Sequence, residues 1–368
     1  MKKIRLANIV GARPQFVKAA MLSKAVSRNG LFEEYIVHSG QHFDENMSGV
    51  FFSEMEIPQP QLSLNINGGS HASMTGKMLV KFEEAFIDLK PDYVLVYGDT
   101  NTSLSAALAA KKMNIPVVHV EAGVRNFDEK MPEEVNRYLI DRMSDINFCC
   151  TYLGEDNLRA EGYGTNQINS QIYNCGDLMY DATIYYSKRI VESNLIKEFG
   201  LEAERFIICT IHRASNTDDP TILEGILDAL DEISREFTVV FPIHPRTRSS
   251  MGNRAVPKNL ILINPTGYFD MLALLSKCAY VLTDSGGLVR EAYFFSKPSI
   301  IILKQPLWPE LVSAGVCVSS EPLKGSILEA FQKMRSIEVA SSAGIFGNGN
   351  TADCILKHIL EFHRGRIV

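Results

Sequence analysis

The sequence predicts an α/β protein made of two parallel sheets, each covered by helices on both faces. Apolar runs of strand length alternate with segments of helical period, and that alternation stops and restarts once along the 368 residues. Length agrees, because single cores tend to split above about 250 to 300 residues.

In chain order, IRLANIV precedes the helix-period QFVKAAMLSKAV, EYIVHSG precedes DENMSGVFFSEM, DYVLVYGD precedes SLSAALAAKKM, and PVVHVEA precedes PEEVNRYLIDRM. INFCCT and QIYNCG close this first series. Strands read as near-continuous apolar runs when helices bury both faces of a parallel sheet. A polar helical stretch from Asp181 to Phe199 interrupts the rhythm, and RFIICTIHRA, FTVVFPIHP, LILINPT, AYVLTDSG and PSIIIL then restart it. The periodic tail ADCILKHILEFHRG, Ala352 to Gly365, follows the last strand and by pattern alone fits either half. The expected divisions are 1–180, 181–350 and a terminal helix in 351–368.

The 37 basic and 43 acidic residues give a net charge of -6, so no general attraction to nucleic acid or an anionic membrane is expected. Any phosphate must be held locally. The opening MKKIRLANIV is too short for a signal peptide, and no apolar run reaches the roughly 18 residues of a membrane span. A soluble, cytoplasmic protein is expected. The seven cysteines show no CxxC or His/Cys ligand spacing. They are expected to be small buried core residues, neither disulfides nor metal ligands.

Ligands of open α/β sheets bind beyond the carboxyl ends of the strands. Polar residues in those places are Arg13, His42, Asp99, Glu121, Glu133, His212, His244, Asp284 and Ser285. They converge only if two sheets face each other across a cleft. GARPQFVK stands at the first strand-to-helix turn, where free N–H groups and the helix dipole favour an anion that Arg13 and Lys18 reinforce. It is not a GxGxxG fingerprint, which argues against a nicotinamide dinucleotide. In DSGGLVRE, Gly286 and Gly287 permit close approach of a ligand, Ser285 caps a helix or donates to phosphate, and Glu291 is placed to accept two ribose hydroxyls. Asp99 suits either a helix N-cap or a site, whereas Glu121, at the end of a buried strand, calls for a partner. Glu133 and Glu134 follow Pro132 in the first turn of a helix backed by Asn136 and Arg137. His212 with Arg213, and His244 in PIHPRTR, fit a polyphosphate-binding face.

Taken together, GARPQFVK, GQHFDENM, YGDTNTS, HVEAGVR, MPEEVNR, TIHRASN, PIHPRTR and DSGGLVREA resemble, over nearly the whole chain, the non-hydrolysing UDP-N-acetylglucosamine 2-epimerase family. The resemblance implies a GT-B fold: two Rossmann-like α/β/α domains facing across a central cleft, the first carrying acid/base residues, the second binding UDP, and a C-terminal helix crossing back to the first. It implies inversion of carbon 2 of a UDP-2-acetamido sugar by anti elimination of UDP and re-addition through a glycal. It implies no cofactor, no metal, and a homodimer in surface-polysaccharide synthesis.

Residue by residue, the resemblance makes Asp99, Glu121, Glu133 and His212 catalytic. Arg13, Lys18, His42, Arg137, Arg213, His244, Ser285, Gly286, Gly287 and Glu291 bind the UDP-sugar. Which carboxylate is base and which acid stays open. LKQPLWPE, Leu303 to Glu310, stands where the family usually has an RDTTERPE-like segment. GGSHASMTGK, IHRASNTD, EAYFF and Trp308 look more like the subgroup acting on UDP-2,3-diacetamido-2,3-dideoxyglucuronic acid. If LKQPLWPE lines the site, Pro306, Leu307 and the Trp308 ring favour a sugar with an extra acetamido group. A GT-B glycosyltransferase, which has no reason to collect Asp99, Glu121 and Glu133 in the first half, and a non-catalytic nucleotide-sugar sensor, favoured only by the altered LKQPLWPE segment, are the alternatives.

Overall fold

The computed structural model describes residues 2–41, 52–190, 193–252, 254–339 and 344–367. The chain forms two compact units, Met1–Ala182 with Ala343–Val368, and Thr183–Ser342. The first holds β1 (Ile4–Val10), β2 (Phe32–His38), β3 (Leu62–Ser63), β4 (Tyr93–Tyr97), β5 (Val117–Ala122), β6 (Ile146–Cys149) and β7 (Gln171–Asn174). The second holds β8 (Phe206–Thr210), β9 (Thr238–Pro242), β10 (Leu260–Ile263), β11 (Tyr280–Thr283), β12 (Ser299–Ile302) and β13 (Cys317–Ser320).

The first sheet runs β3-β2-β1-β4-β5-β6-β7 and the second β10-β9-β8-β11-β12-β13. All strand pairings among the described residues are parallel. Each unit is therefore Rossmann-like, with strand order reversing between β1 and β4 and between β8 and β11. Those switch points are where crevices open at the carboxyl ends of strands. Burial explains the apolar runs: every residue of β4 and β12 is buried.

The two-residue β3, the four-residue β13 and the helix His71–Leu89 fall in segments that the periodicity did not mark. That helix starts at Ser70, whose hydroxyl accepts from the Ser73 amide, and buries only Met78, Phe82, Ala85 and Phe86. Its first turn is polar and reads as loop. The segment DENMSGVFFSEM lies largely outside the described residues, as 42–51 are not among them.

The terminal helix Thr351–Ile367 belongs with the first unit. Asp181 accepts from the Ala352 amide at 3.0 Å, and the His358 ring stacks on Tyr173 with centroids 3.8 Å apart. A disulfide joins Cys175 to Cys354, 179 residues apart, correcting the expectation that all seven cysteines are plain core residues. Spacing could not reveal it, because only the return of the terminal helix brings their Cα atoms to 5.8 Å, within bridging range. The other five are free and buried.

Candidate active site

The first switch point is tied together by Gln15. Its Oε1 accepts from the Gly11 and Ala12 amides at 2.8 and 3.0 Å, while Nε2 donates to the Tyr97 carbonyl at 2.9 Å. The turn after β1 is thereby locked to the turn after β4. It also uses the amides of Gly11 and Ala12 internally, while Pro14 has no N–H and the Gln15 and Phe16 amides donate to the Ala12 carbonyl. A Cβ on Gly11 would lie 2.1 Å from Ser39 Oγ, which explains the glycine.

After β4, Thr100 and not Asp99 caps the helix Asn101–Lys112, its hydroxyl accepting from the Ser103 amide. Asp99 is left free of capping and pairs with Arg137, whose Nε donates to Oδ2 at 2.9 Å. Arg137 also donates from Nη1 to Glu134 at 2.6 Å. Glu134, wholly buried, accepts from the Phe127 amide at 2.9 Å and from the Asn126 amide at 3.1 Å. Of the two glutamates in MPEE, Glu134 thus fixes the loop before its helix, and Glu133 is half-buried at the helix start. Asn136 completes the support by donating to the Asp99 carbonyl at 2.8 Å.

Glu121 ends β5 in an unusual way. Its φ is +73°, and the pairing with β6 shifts register between Val120 and Ala122. A non-glycine residue in this left-handed region costs on the order of 1–3 kcal/mol and persists only where the surroundings over-determine it. Such bulges re-aim a side chain. Here the carboxylate meets Lys18 Nζ at 2.5 Å, with the two side chains 14% and 4% exposed. Lys18 is therefore a neutralising partner of Glu121 and lies beneath the turn. Cys150 and Asp177 bring further ligand-type atoms within 4.8 Å of the Glu121 carboxylate, and neither was singled out from sequence.

In the second unit, Asp284 organises the turn after β8. It accepts from the His212, Arg213 and Asn216 nitrogens at 3.0, 2.9 and 3.1 Å, and from His212 Nδ1 at 2.9 Å. Burial alone pushes the Asp284 carboxyl up, but the His212 ring and the two backbone amides outweigh it and hold the group below the ordinary carboxylate range. His212 is oriented through Nδ1 while its side chain stays 47% exposed. Arg213 is held by its Nε, which donates to the Asp284 carbonyl at 2.8 Å. His244 is exposed just beyond β9.

Ser285 caps the helix Gly286–Phe294, accepting from the Leu288 amide, and Glu291 is buried two turns along. The two glycines differ. A Cβ on Gly286 would meet Leu307 Cδ1 at 2.9 Å, whereas one on Gly287 would meet only Ser285 Oγ, at 3.6 Å. Gly286 serves packing, and Gly287 leaves open space before the helix N-terminus. Trp308 is 4% exposed, donates to the Gly286 carbonyl at 3.0 Å and lies under the Arg290 guanidinium at 4.4 Å. This overturns the expectation that its ring faces a sugar. An indole whose N–H and face both find partners in the core packs as a wedge behind the helix.

The structure thus gathers Asp99, Glu121, Lys18 and Arg137 at the β4–β5 ends, and His212, Arg213, Ser285, Gly286 and Gly287 at the β8–β11 ends. His42 lies outside the described residues. Glu134 and Asp284, named from sequence, are supports of the neighbouring turns, while Gln15 and the buried His119–Asp141 pair were missed. Their signal was polarity inside buried strands and helices, which only contact makes legible.

The model of the family described as UDP-N-acetylglucosamine 2-epimerase matches residues 24–360. The chain belongs to that family. It is 41% identical to the UDP-2,3-diacetamido-2,3-dideoxy-D-glucuronate 2-epimerase of Pseudomonas aeruginosa, over 97% of this chain and 100% of that one. It is 34% identical to the UDP-N-acetylglucosamine 2-epimerase of Methanocaldococcus jannaschii, over 96% and 98%. A crystal structure of the latter organism's UDP-GlcNAc 2-epimerase in complex with UDP-GlcNAc and UDP superposes with a TM-score of 0.88 at 33% identity, covering 97% of this chain and 100% of that one. These relatives place the chain among GT-B isomerases. Among the described residues, no helix is long and apolar enough to cross a membrane.

Proposed function

We propose that this epimerase-family chain inverts carbon 2 of a UDP-2-acetamido sugar, eliminating UDP to a glycal and re-adding it to the opposite face. The observation that carries the reading is the pair of carboxylates at neighbouring strand ends, Asp99 and Glu121, each held by a buried cation. A carbon–hydrogen bond at carbon 2 is poorly acidic. Its removal needs an aimed base, and departure of UDP from carbon 1 needs nearby negative charge to stabilise the developing cation. Asp99, Glu121 and Glu133 are assigned to these tasks. His212, oriented by Asp284, donates to the departing diphosphate. Arg13, Arg213, His244, Ser285, Gly286 and Gly287 hold the diphosphate, and Glu291 takes the ribose hydroxyls.

The 41% identity to the diacetamido-glucuronate enzyme favours a second reading of the substrate, with a 3-acetamido group and a carboxylate at carbon 6. Trp308, being core, does not support it; Lys304, exposed after β12, or Arg213 would supply the cation for such a carboxylate. Incubation with single UDP-sugars, without an acceptor, followed by product NMR tests both readings. Epimer formed in the absence of acceptor supports the epimerase over a glycosyltransferase. A competition between UDP-GlcNAc and the diacetamido sugar then assigns the substrate by kcat/KM. A chain that binds UDP-sugars and leaves them all unchanged contradicts the proposal.

A further inference from the structure

We infer that Asp141, acting through His119 and the Gly123 amide, is the positioning residue that sets both carboxylate-bearing turns of the first sheet, Gly98–Asp99 and Glu121. This rests on the reading that those carboxylates act on carbon 2. Asp141 lies on the helix Pro132–Met143, wholly buried. Its Oδ1 is 2.7 Å from His119 Nδ1, and its Oδ2 accepts from the Gly123 amide at 3.2 Å and from Arg125 Nη1 at 2.7 Å. His119 Nε2 is 2.9 Å from the Gly98 carbonyl. A carbonyl only accepts, so Nε2–H donates to Gly98, and the 2.7 Å contact on the other side needs a second proton between Nδ1 and the Asp141 carboxylate, which only accepts when ionised.

One carboxylate therefore grips the chain two residues before Glu121, on β5, and two residues after it, just past the strand end. Midway between the two grips is Glu121, at φ +73°. Through the same imidazole, Asp141 also fixes the residue preceding Asp99. Asn157 adds a hydrogen bond from Nδ2 to the Gly123 carbonyl at 2.9 Å. Burial pushes the Asp141 carboxyl up, but His119 and Arg125 hold it below the ordinary value, in keeping with an ionised hub. Buried ionic clusters gain little stability over well-packed apolar residues. What this one provides is geometry.

The cluster contains its own control. Arg125 reaches outward to Glu161 at 2.8 Å, and Glu161 touches neither turn. Asp141→Asn is expected to lower kcat about 30- to 100-fold with KM and UDP affinity kept within about threefold, as for a small misplacement of catalytic groups. Glu161→Gln is expected to lower Tm while kcat stays within about twofold. Loss of kcat in both variants in proportion to Tm, or unchanged kcat in Asp141→Asn, overturns the inference. If Asp141→Asn does not fold, His119→Asn frees the Gly98 carbonyl and should show the same kcat loss at constant KM; unchanged kcat there also overturns it. Wild-type turnover of UDP-sugars decides the functional reading separately. Should that reading fail, amide chemical shifts of Gly98, Asp99 and Glu121 still decide the geometry: they move in Asp141→Asn or His119→Asn and stay in Glu161→Gln, and the reverse contradicts it.

Discussion

The carboxyl ends of the two sheets have the same topology and opposite electrostatics. At β4 and β5 the charges are full, buried and paired, as in Lys18–Glu121 and Arg137 with Asp99 and Glu134. At β8 and β11 the buried Asp284 charge is spent on the turn that carries His212 and Arg213, and what stands beyond it is more open: a helix N-terminus capped by Ser285, a glycine with empty space before it, and a half-exposed imidazole. Proton transfer to carbon requires groups fixed in place, which buried ion pairs provide. A diphosphate that arrives and leaves requires N–H groups and dipoles left free, which a buried ion pair would forbid.

The comparison breaks most readily at Glu121. Glu121→Gln is expected to reduce turnover about 100-fold or more and to lower Tm, because Lys18 is left buried without its counter-charge, a loss of about 3–5 kcal/mol for a broken buried pair. Asp99→Asn should match that loss of turnover with a much smaller fall in Tm, since Arg137 keeps Glu134. Thermal melts of both variants beside their kcat values separate chemistry from stability. Next in size, Glu291→Gln should weaken UDP binding by about 1.5–3 kcal/mol, the worth of hydrogen bonds to a charged group. Calorimetry should find Asp99→Asn nearly normal in UDP affinity; equal losses in both would erase the division of labour.

The glycines sharpen the contrast on a smaller scale. Gly287→Ala should fold normally and bind UDP about tenfold more weakly, because only ligand space is filled. Gly286→Ala should cost about 1–3 kcal/mol of stability by pushing on Leu307. The smallest effect concerns His38, buried against Phe16 and Phe52 with no partner for Nε2 among the described residues. Burial depresses its pKa below 6.5. The unfolded chain then binds the proton more readily, so stability falls as pH drops below about 6.5. His38→Phe should flatten that part of a Tm profile between pH 7 and 5. The Asp141 and Asp284 contributions, with both carboxyls held down, are lost only near and below the ordinary carboxylate range.

Strands buried on both faces announce themselves, and IRLANIV is β1 residue for residue. Glu121 was legible because a charge at the end of such a strand is costly without a partner. Lys18 was assigned to phosphate because the sequence offers GARPQFVK as one local unit, whereas its ammonium reaches a carboxylate 103 positions away. Trp308 was given to the sugar because LKQPLWPE stands in place of a family segment taken to line the site, whereas its indole donates to the Gly286 carbonyl within the core. Asp141 sits in the same helix as Glu133 and Arg137, and its partners His119, Gly123 and Arg125 lie in another segment. Pairings between distant segments, the disulfide included, leave no periodic trace.

The central claim, that carbon 2 is deprotonated and reprotonated during turnover, is tested most directly by running the reaction in deuterium oxide and examining the epimer by NMR and mass spectrometry. Elimination and re-addition predict one deuterium at carbon 2 of the product, drawn from a solvent-equilibrated acid. An epimer that carries protium at that carbon, at full conversion, contradicts the account.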